Sequence, residues 1–262
     1  MSISELFDRV SSGVIHIIFV QGAERVASGS GFMVNGHLVT NNHVFRGPPT
    51  CDVYLRFAKS DPCRLGDGVV IPYATFAQGL VSGSDENNYD FAVLDIPQLR
   101  QHQCHQFRFA SPERRRIGTQ VVFLGYPLEH LNLVCHAGLI SSLYLTGPTQ
   151  IIQIDGSINA SNSGGPLLDL ETGEVLGIIT RKATGLSRMF QKLLLSFEDN
   201  IRALECAKGI MGLGGVDPVA ALVASQHQMQ HVAREIERSA NVGIGYAFSA
   251  EHIAGETALQ YA

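Results

Sequence analysis

Short apolar runs separated by turn residues fill the chain from Val14 to about Arg181. Gly, Pro, Asn and Asp stand between the runs, and β-branched and aromatic residues dominate within them. This spacing is typical of an all-β barrel or sandwich. The Asn-Gly pair in VNGH and the ETGE segment between two apolar stretches each predict a hairpin turn. The predicted strands are VIHIIFV, GFMVNGHLVT, CDVYLRF, DFAVLDI, TQVVFLGY, LISSLYL, TQIIQID and EVLGIIT.

The period of the apolar positions changes between about Ser187 and Ala240. Apolar residues recur at helical spacing in two segments, and GIMGLGG breaks the chain between them. Asp217 is the predicted N-cap of the second helix, with Pro218 at its first position. These signals predict an αα-hairpin. The apolar faces are Phe190, Leu194, Phe197, Ile201 and Leu204 in the first helix, and Val219, Leu222, Met229, Val232 and Ile236 in the second.

The two ends of the chain add a strand and short helices to this pattern. SELFDRVSS predicts a helix capped by Ser2 or Ser4, NVGIGYAFS returns to strand texture, and AEHIAGETALQYA predicts a closing helix. The predicted fold class is therefore mainly β, with an inserted αα-hairpin and short terminal helices.

Composition and charge exclude several classes of protein. A chain of 262 residues suits one large domain or two small ones. With 45% hydrophobic and 16% charged residues it is globular and not disordered. A formal net charge of −5 argues against nucleic acid or an anionic membrane as the main partner. The single basic cluster, Glu113 to Arg116, is expected to be a solvated connector between two halves.

Leader and cysteine patterns lead to the expectation of a cytoplasmic protein. MSISELFDRV carries acids and no early basic region, so no signal peptide is expected, and no segment reaches the length of a membrane span. An odd number of cysteines without a framework spacing predicts free thiols in a reducing compartment. A disulfide between two of them and a processed precursor without its leader remain the alternatives. The cysteines are Cys51, Cys63, Cys104, Cys135 and Cys206, and the disulfide would join Cys51 to Cys63.

Ser163 stands on a bend of small residues in SINASNSGGPLL. Turn chemistry alone explains Asn, Ser, Gly and Pro in one cluster. A hydroxyl that attacks a carbonyl needs the same setting, because its oxygen must be exposed and backbone N–H groups must converge on one point. Gly164 and Gly165 keep this bend free of Cβ atoms.

Two further residues supply the base and the acid that such a nucleophile requires. His43 follows a strand-like run in LVTNNHVF, and Asp90 precedes the apolar strand in NNYDFAVLDI. Each signal is weak alone, since most histidines bind nothing and Asp is a common turn residue. In the order His43, Asp90, Ser163, separated by strands, they form the constellation of nucleophilic acyl transfer.

Five blocks follow one another along the chain: VASGSGFMVNGHLVTNNHV, YDFAVLDI, LGYPLEHLNLVCHAGLISSL, INASNSGGPLLDLETGEVLGIIT and NVGIGYAFS. In sequence and order they resemble the blocks of the chymotrypsin clan, in particular the HtrA/Deg branch of trypsin-like serine proteases. The resemblance spans roughly residues 14 to 181 and 241 to 252. It implies two antiparallel β-barrels packed at right angles, with the substrate cleft between them.

The resemblance assigns domains and roles. Residues 1–112 would form the barrel that carries His43 and Asp90. Residues 113–262 would form the barrel that carries Ser163, with a helical insertion at about 187–240. His43 would be the general base and acid, Asp90 would orient it, and Ser163 would form the acyl-enzyme. The expected activity is that of a serine endopeptidase with restricted protein or peptide substrates, without a metal or an organic cofactor.

The backbone N–H groups expected to hold the oxyanion are those of Ser161 and Ser163, with Asn162 between them. The family usually has Gly two residues before the nucleophile, often preceded by Pro, where this chain has Ser161 and Ala160. A Cβ at Ser161 restricts the peptide flip that aims its N–H group. Either the oxyanion hole tolerates the Ser161 Cβ, or the hole is malformed at rest and needs activation.

The resemblance also places a specificity pocket. Ser157 stands where cleavage after Lys or Arg would require an acid, and glycines beside Ile244 leave room for a small or medium apolar side chain. The predicted pocket residues are Ser157, Ile158, Ile179, Thr180, Arg181, Gly243, Ile244 and Gly245, with Tyr246 next to them.

The helical insertion replaces a short loop of most relatives at the rim of the pocket. Its helices either pack on the second barrel without further role, or gate the cleft and dock a regulatory protein partner. The PDZ domain common in HtrA proteins is expected to be absent. Histidine pairs in HQMQH and QHQCHQ are expected to be a solvated helix face and a connecting loop, not metal sites.

Two alternatives to a peptidase stay open from the sequence. The first is a catalytically weak binding or scaffold module that uses the helical insertion as its working surface. The second is a serine esterase or an autoproteolytic protein on the same fold.

Overall fold

A computed structural model of the chain describes residues 1–58, 65–127, 131–159, 161–180, 185–206, 217–239 and 243–260. The chain divides into two compact units. The larger consists of Met1–Arg181 together with Gly243–Ala262, and the smaller is Lys182–Val242. The mainly β prediction is confirmed for the larger unit, whereas the predicted boundary at residue 112 stays a prediction.

The first half of the larger unit is an antiparallel sheet of seven strands in the order β5-β4-β1-β2-β3-β7-β6. Helix α1 (Ile3–Val10) precedes it, with the predicted Ser2 cap completed by Glu5 in a capping box. The strands are β1 (Val14–Gln21), β2 (Glu24–Val34), β3 (His37–Thr40), β4 (Asp52–Ala58), β5 (Leu65–Pro72), β6 (Leu80–Ser84) and β7 (Phe91–Leu94), and the helices between them are α2 (Asn42–Phe45) and α3 (Tyr73–Gln78).

The second half closes into a barrel in the strand order β10-β13-β12-β11-β8-β9. Two short helices follow the last strand, as the sequence predicted, although they are separated by a turn. The strands are β8 (Gln120–Gly125), β9 (Val134–Thr146), β10 (Thr149–Asp155), β11 (Pro166–Asp169), β12 (Val175–Thr180) and β13 (Ile244–Ser249), and the helices are α6 (Glu251–Ala254) and α7 (Thr257–Gln260).

Three clusters of buried apolar side chains hold this unit together. One fills the first sheet around Phe19, Leu55 and Phe76, and another fills the barrel around Phe123 and Ile152. The third is shared, because it joins residues of the first sheet and of α1 to residues of the barrel; its fully buried members include Leu6, Phe32, Phe107, Leu124, Leu168 and Ile178. The two halves therefore have separate cores and a common apolar interface.

The smaller unit is an αα-hairpin, as the helical period predicted. Its helices are α4 (Gly185–Glu205) and α5 (Pro218–Ser239), which pack side by side. Asp217 Oδ1 accepts a hydrogen bond of 2.9 Å from the backbone N–H of Val219, which confirms the predicted N-cap. Within the described residues, no helix is long and apolar enough to cross a membrane.

The predicted hairpin turn between β2 and β3 is confirmed, and two strands were missed. Asn35 and Gly36 have φ values of 45° and 77°, the left-handed pair that a tight two-residue hairpin requires. The missed strands β5 and β6 lie at the two edges of the first sheet. Edge strands are partly solvated and contain glycines here, so their apolar signal is weak.

The expectation of a solvated basic connector is wrong for Arg115. Its side chain is only 5% exposed, and it donates hydrogen bonds to Ser249 Oγ at 2.6 Å and to Glu251 at 2.8 Å. Arg114 pairs with Asp169 and Glu171. The run therefore ties the connector to the barrel, because these arginines meet carboxylates that are far away in the sequence.

A buried histidine lies in β1 beside a tyrosine at the start of the barrel. The ring of His16 is fully buried and stacks on Tyr126, with ring centroids 4.3 Å apart. Its Nε2 lies 3.5 Å from the Arg25 guanidinium. Burial, followed by the positive charges of Arg25 and Arg56, lowers the pKa of His16 to about 3. The ring is therefore neutral in the folded protein.

We predict that His16 makes the protein sensitive to acid. An unfolded histidine has a pKa of about 6.5, so the unfolded state binds the extra proton between that pH and about 3, and stability falls as the pH is lowered through this window. His16→Phe keeps a stacked ring but cannot be protonated. Urea unfolding between pH 7 and pH 3 should show a shallower loss of stability for the variant than for the wild type. Identical acid limbs would contradict this assignment.

Candidate active site

His43 and Asp90 come from neighbouring parts of the first sheet. Strand β3 ends at Thr40, and the one-turn helix α2 that follows carries His43. Asp90 directly precedes β7, the strand that pairs with β3. The side-chain amide of the buried Asn41 donates a hydrogen bond of 2.9 Å to the Asp90 carbonyl, which ties the two segments together.

The imidazole of His43 and the carboxylate of Asp90 form a close pair. His43 Nδ1 lies 2.7 Å from Asp90 Oδ2, and the backbone N–H of His43 donates to Asp90 Oδ1 at 3.0 Å. The Asp90 side chain is 3% exposed and that of His43 is 33% exposed. With the carboxylate accepting at Nδ1, the proton of a neutral ring is held there and Nε2 is left with its lone pair.

Ser163 lies on a tight bend before β11 and is nearly buried. Its carbonyl accepts a hydrogen bond of 2.8 Å from Ser30 N–H, and Gly164 N–H donates to the Ile179 carbonyl at 2.9 Å. The bend is closed by Gly165 N–H, which donates to the Asn162 carbonyl at 3.0 Å. Among the contacts that the structure describes, no hydrogen bond joins the His43 ring to the Ser163 hydroxyl.

Gly164 brings this bend against the strands that lead to His43. Its φ is 86°, and a Cβ added there would lie 2.1 Å from the Ser30 carbonyl oxygen and 2.3 Å from Thr40 Oγ1. Thr40 Oγ1 in turn donates to the Ser30 carbonyl at 2.7 Å. Only glycine fits such a contact, so the residue after Ser163 is fixed against the end of β3, three residues before His43.

The backbone donors around Ser163 differ in their availability. Asn162 N–H donates to the Asn159 carbonyl at 3.2 Å and is used within the bend. For Ser161 and Ser163, no acceptor of the backbone N–H is present among the described hydrogen bonds. Ser161 has a φ of 72°, a left-handed conformation that is uncommon for a residue other than glycine.

Sequence reasoning missed two serines of β2 that contact Ser161. Ser28 Oγ lies 2.8 Å from Ser161 Oγ, and Ser30 Oγ donates to the Ser161 carbonyl at 2.8 Å. The segment VASGSGF carried these residues only as part of the family resemblance. Nothing local in it indicates a partner more than 130 residues away.

The predicted pocket residues Ser157, Ile158 and Gly245 lie beside one another. Gly156 N–H donates to the Gly243 carbonyl at 3.0 Å, which joins the segment after β10 to the start of β13. A Cβ at Gly245 would lie 2.6 Å from Ile158 Cδ1, so the Ile158 side chain covers the Gly245 backbone. Ile244 is 41% exposed.

Ile179 and Thr180 are arranged differently from pocket-lining side chains. Ile179 is fully buried within the barrel core, and its N–H donates to the Gly165 carbonyl at 2.8 Å. It therefore anchors the Ser163 bend through its backbone. Thr180 is buried and pairs with Tyr246 across β12 and β13. Arg181 lies outside the described residues.

This two-sheet architecture, with a His–Asp pair beside a serine on a glycine bend, defines the class of trypsin-like peptidase folds. The family model described as trypsin-like peptidase domain matches residues 29–178. The chain belongs to this family.

Curated relatives of the HtrA/Deg type match the same region. A probable periplasmic serine endoprotease DegP-like from Brucella suis is 35% identical over 166 residues, which is 61% of this chain and 28% of that protein. The periplasmic pH-dependent serine endoprotease DegQ from Escherichia coli K12 is 32% identical over 160 residues, 58% of this chain and 30% of that protein. The chain thus spans less than a third of the length of these relatives.

Solved structures share the fold. The crystal structure of Deg5 has a TM-score of 0.53 at 25% identity, covering 68% of this chain and 84% of that one. The serine endoprotease from Yersinia pestis has a TM-score of 0.51 at 25% identity, covering 69% of this chain and 57% of that one. The predicted chymotrypsin-like fold and the HtrA/Deg resemblance are confirmed.

The expectation of a cytoplasmic location is wrong, because the DegP-like and DegQ relatives are named periplasmic. Thiol chemistry explains why the cysteines misled. Cys51 is free and buried, and burial raises the pKa of Cys104 and of Cys135. A raised pKa disfavours the reactive thiolate, so free thiols such as Cys104 and Cys135 do not by themselves report the redox compartment. The alternative disulfide involves Cys63, which lies outside the described residues.

We predict that Gly164→Ala disrupts the Ser163 bend far more than left-handed strain alone. Gly118 supplies the matched control, because its φ is 89° and a Cβ there would meet nothing within 4 Å. Gly118→Ala should cost only the strain, about 1–2 kcal/mol of unfolding free energy. Gly164→Ala should cost at least twice as much and abolish labelling of Ser163 by a fluorophosphonate. Urea unfolding and labelling of both variants test this; equal costs would show that the contact with Ser30 and Thr40 does not constrain the bend.

Proposed function

We propose that the chain is a serine endopeptidase that uses His43, Asp90 and Ser163 and acts on a restricted set of protein substrates. The observation that carries the proposal is the 2.7 Å pair between His43 Nδ1 and Asp90 Oδ2, formed where Gly164 anchors the Ser163 bend. The endoprotease names of the relatives support the same reaction.

The proposed chemistry follows from the tautomer in which Asp90 holds the His43 imidazole. With the proton of neutral His43 at Nδ1, Nε2 is the base that takes the Ser163 proton as the oxygen attacks the substrate carbonyl. The ring then gives this proton to the leaving amine. Water then hydrolyses the acyl-enzyme: His43 takes a proton from the attacking water and gives it to Ser163 Oγ as the acid product leaves. Among the described contacts no hydrogen bond joins His43 to Ser163, and catalytic hydrogen bonds of this kind commonly tighten only when substrate binds.

The oxyanion of the tetrahedral intermediate is assigned to the backbone N–H groups of Ser161 and Ser163. Both lack an acceptor among the described hydrogen bonds, whereas that of Asn162 is used within the bend. Loss of one such donor typically lowers the rate by about 10²–10³.

Substrate selection is assigned to the segment after β10 and the start of β13. The Ile158 side chain covers Gly245, and the half-exposed Ser157 offers no negative charge. An uncharged pocket with the apolar Ile158 side chain on its wall favours a small or medium apolar side chain before the cleaved bond and disfavours Lys or Arg.

We predict that Ser163→Ala abolishes fluorophosphonate labelling and peptide hydrolysis, because the attacking oxygen is removed. Asp90→Asn should lower kcat by about 10⁴, because the amide no longer favours the Nδ1–H tautomer of His43. Labelling, followed by turnover of fluorogenic peptides with Ala or Val before the cleaved bond, measures both effects.

Ser141→Ala removes a comparable hydroxyl, which donates to the Gln153 carbonyl in the barrel wall, and serves as the control. Full labelling of Ser163→Ala would refute the triad. Hydrolysis of esters without hydrolysis of any peptide would favour the esterase alternative, and self-cleavage that depends on Ser163 would favour the autoproteolytic one.

We further propose that the αα-hairpin regulates cleavage. It joins the end of β12 to the start of β13, and the pocket assigned above includes the start of β13. An apolar groove of about 460 Å³ lies between its helices and is lined by Phe190, Leu193, Phe197, Met229, Val232 and Ile236. This groove is also the observation that favours the second candidate function, a binding module that works through the hairpin.

We predict that replacing residues 187–240 with a short Gly-Ser linker changes kcat/KM for peptides or its response to protein partners. Circular dichroism and thermal unfolding establish that the trimmed protein is folded. Equal turnover and an equal partner response in the trimmed and full chains would assign the hairpin no regulatory role. Turnover absent from both, with partner binding only in the full chain, would favour the binding module.

A further inference from the structure

We infer that Ser28 and Ser30 of β2 are positioning residues that lock Ser161 in its left-handed conformation. The lock fixes the direction of the Ser161 N–H group, and so it supplies in this chain what glycine supplies when it occupies that position. The inference rests on the proposed peptidase function, because the N–H group matters there as a donor to the oxyanion.

Two hydrogen bonds hold Ser161 from different sides. Ser28 Oγ lies 2.8 Å from Ser161 Oγ, and Ser30 Oγ lies 2.8 Å from the Ser161 carbonyl oxygen. The first bond restrains the side chain and the second restrains the peptide that follows. Ser30 is fully buried, so its bond to the carbonyl is shielded from water.

The direction of the bond to the carbonyl is defined, because a carbonyl oxygen can only accept. Ser28 Oγ accepts a hydrogen bond from the Arg25 guanidinium and shares another with Ser161 Oγ, in which either hydroxyl can be the donor. Ser30 Oγ accepts from the Tyr126 N–H at 3.0 Å and gives its proton to the Ser161 carbonyl. Each serine is thus held by a donor elsewhere in the fold while it makes its hydrogen bond to Ser161.

The lock is needed because Ser161 carries a Cβ. At a φ of 72° the Cβ approaches the following carbonyl, and an unrestrained serine favours negative φ. Rotation to negative φ would change the direction of the Ser161 N–H relative to that of Ser163. Glycine populates both regions about equally, so it would not require the contacts from β2.

The contacts also make the oxyanion hole depend on the first sheet. Ser28 and Ser30 lie in β2, whereas Ser161 and Ser163 lie in the loop between β10 and β11. Ser30 N–H additionally donates to the Ser163 carbonyl at 2.8 Å. One strand therefore orients both residues to which the oxyanion is assigned.

Hydrolysis of an N-acyl alanine p-nitrophenyl ester by the 262-residue chain tests the lock. Ser28→Ala should lower kcat about tenfold with KM changed less than twofold, because the oxyanion develops only in the transition state. In a Ser161→Gly background, the same Ser28→Ala substitution should change kcat less than twofold. Ser141→Ala serves as the control for loss of a hydroxyl elsewhere. Unchanged kcat in Ser28→Ala, or an equal loss in both backgrounds, would overturn the inference while leaving the peptidase function intact.

A double-mutant cycle on stability tests the same lock without catalysis. The unfolding equilibrium constants of Ser28→Ala, Ser161→Ala and the double variant should show a coupling of about three- to tenfold, the value of one neutral hydrogen bond. Ser141→Ala combined with Ser161→Ala should be additive. Absence of coupling between Ser28 and Ser161 would overturn the inference even if the wild type hydrolyses no ester, a result that by itself would count against the proposed function.

Discussion

The close contact of Gly164 with Ser30 and Thr40 is the constraint on which the candidate site depends. The His43–Asp90 pair and the Ser163 bend belong to different halves of the larger unit. Each half has an apolar core of its own. The shared apolar cluster brings the halves together. Apolar packing is not directional, however, and does not fix the position of the Ser163 bend relative to β3 to within an ångström. A glycine without room for a Cβ does set it, and the hydrogen bond from Ser30 N–H to the Ser163 carbonyl fixes the same loop from the side.

Burial of polar groups in the first sheet costs free energy, and the fold offsets this cost in two ways. Asp90 is almost fully buried as a carboxylate, and three of its neighbours are donors: the His43 ring, the His43 backbone N–H and, at the Asp90 carbonyl, the Asn41 amide. His16 meets the same cost differently, because its pKa falls and the ring stays neutral. The two histidines show that a carboxylate partner, and not burial by itself, separates a candidate base from a packing residue.

The sequence predicted the fold and the site residues to different depths. Apolar period and turn residues were sufficient for the hairpin turn at Asn35 and Gly36, for the cap at Asp217 and for the mainly β class, because these are local signals. The strands β5 and β6 were missed, since edge strands lack a continuous apolar face. The roles of Ser28 and Ser30 were missed for another reason: their partner at Ser161 is distant along the chain, and two serines in a strand carry no sign of what they face. The buried Arg115 was misjudged in the same way, because its carboxylate partner Glu251 becomes a neighbour only after the barrel has closed.

The barrel tolerates the αα-hairpin as an insertion, because it is closed by hydrogen bonds between strands and not by the connection between its last two strands. β12 and β13 pair in an unbroken antiparallel register from Gly177 with Ser249 to Thr180 with Tyr246. The entropy cost of joining two strand ends grows only as the logarithm of the connection length, by about 0.6 kcal/mol per doubling. A connection as long as Lys182–Val242 therefore weakens the barrel little. The αα-hairpin and the barrel are covalently joined at the end of β12 and at the start of β13, so a long helical insertion and an intact barrel coexist in one chain.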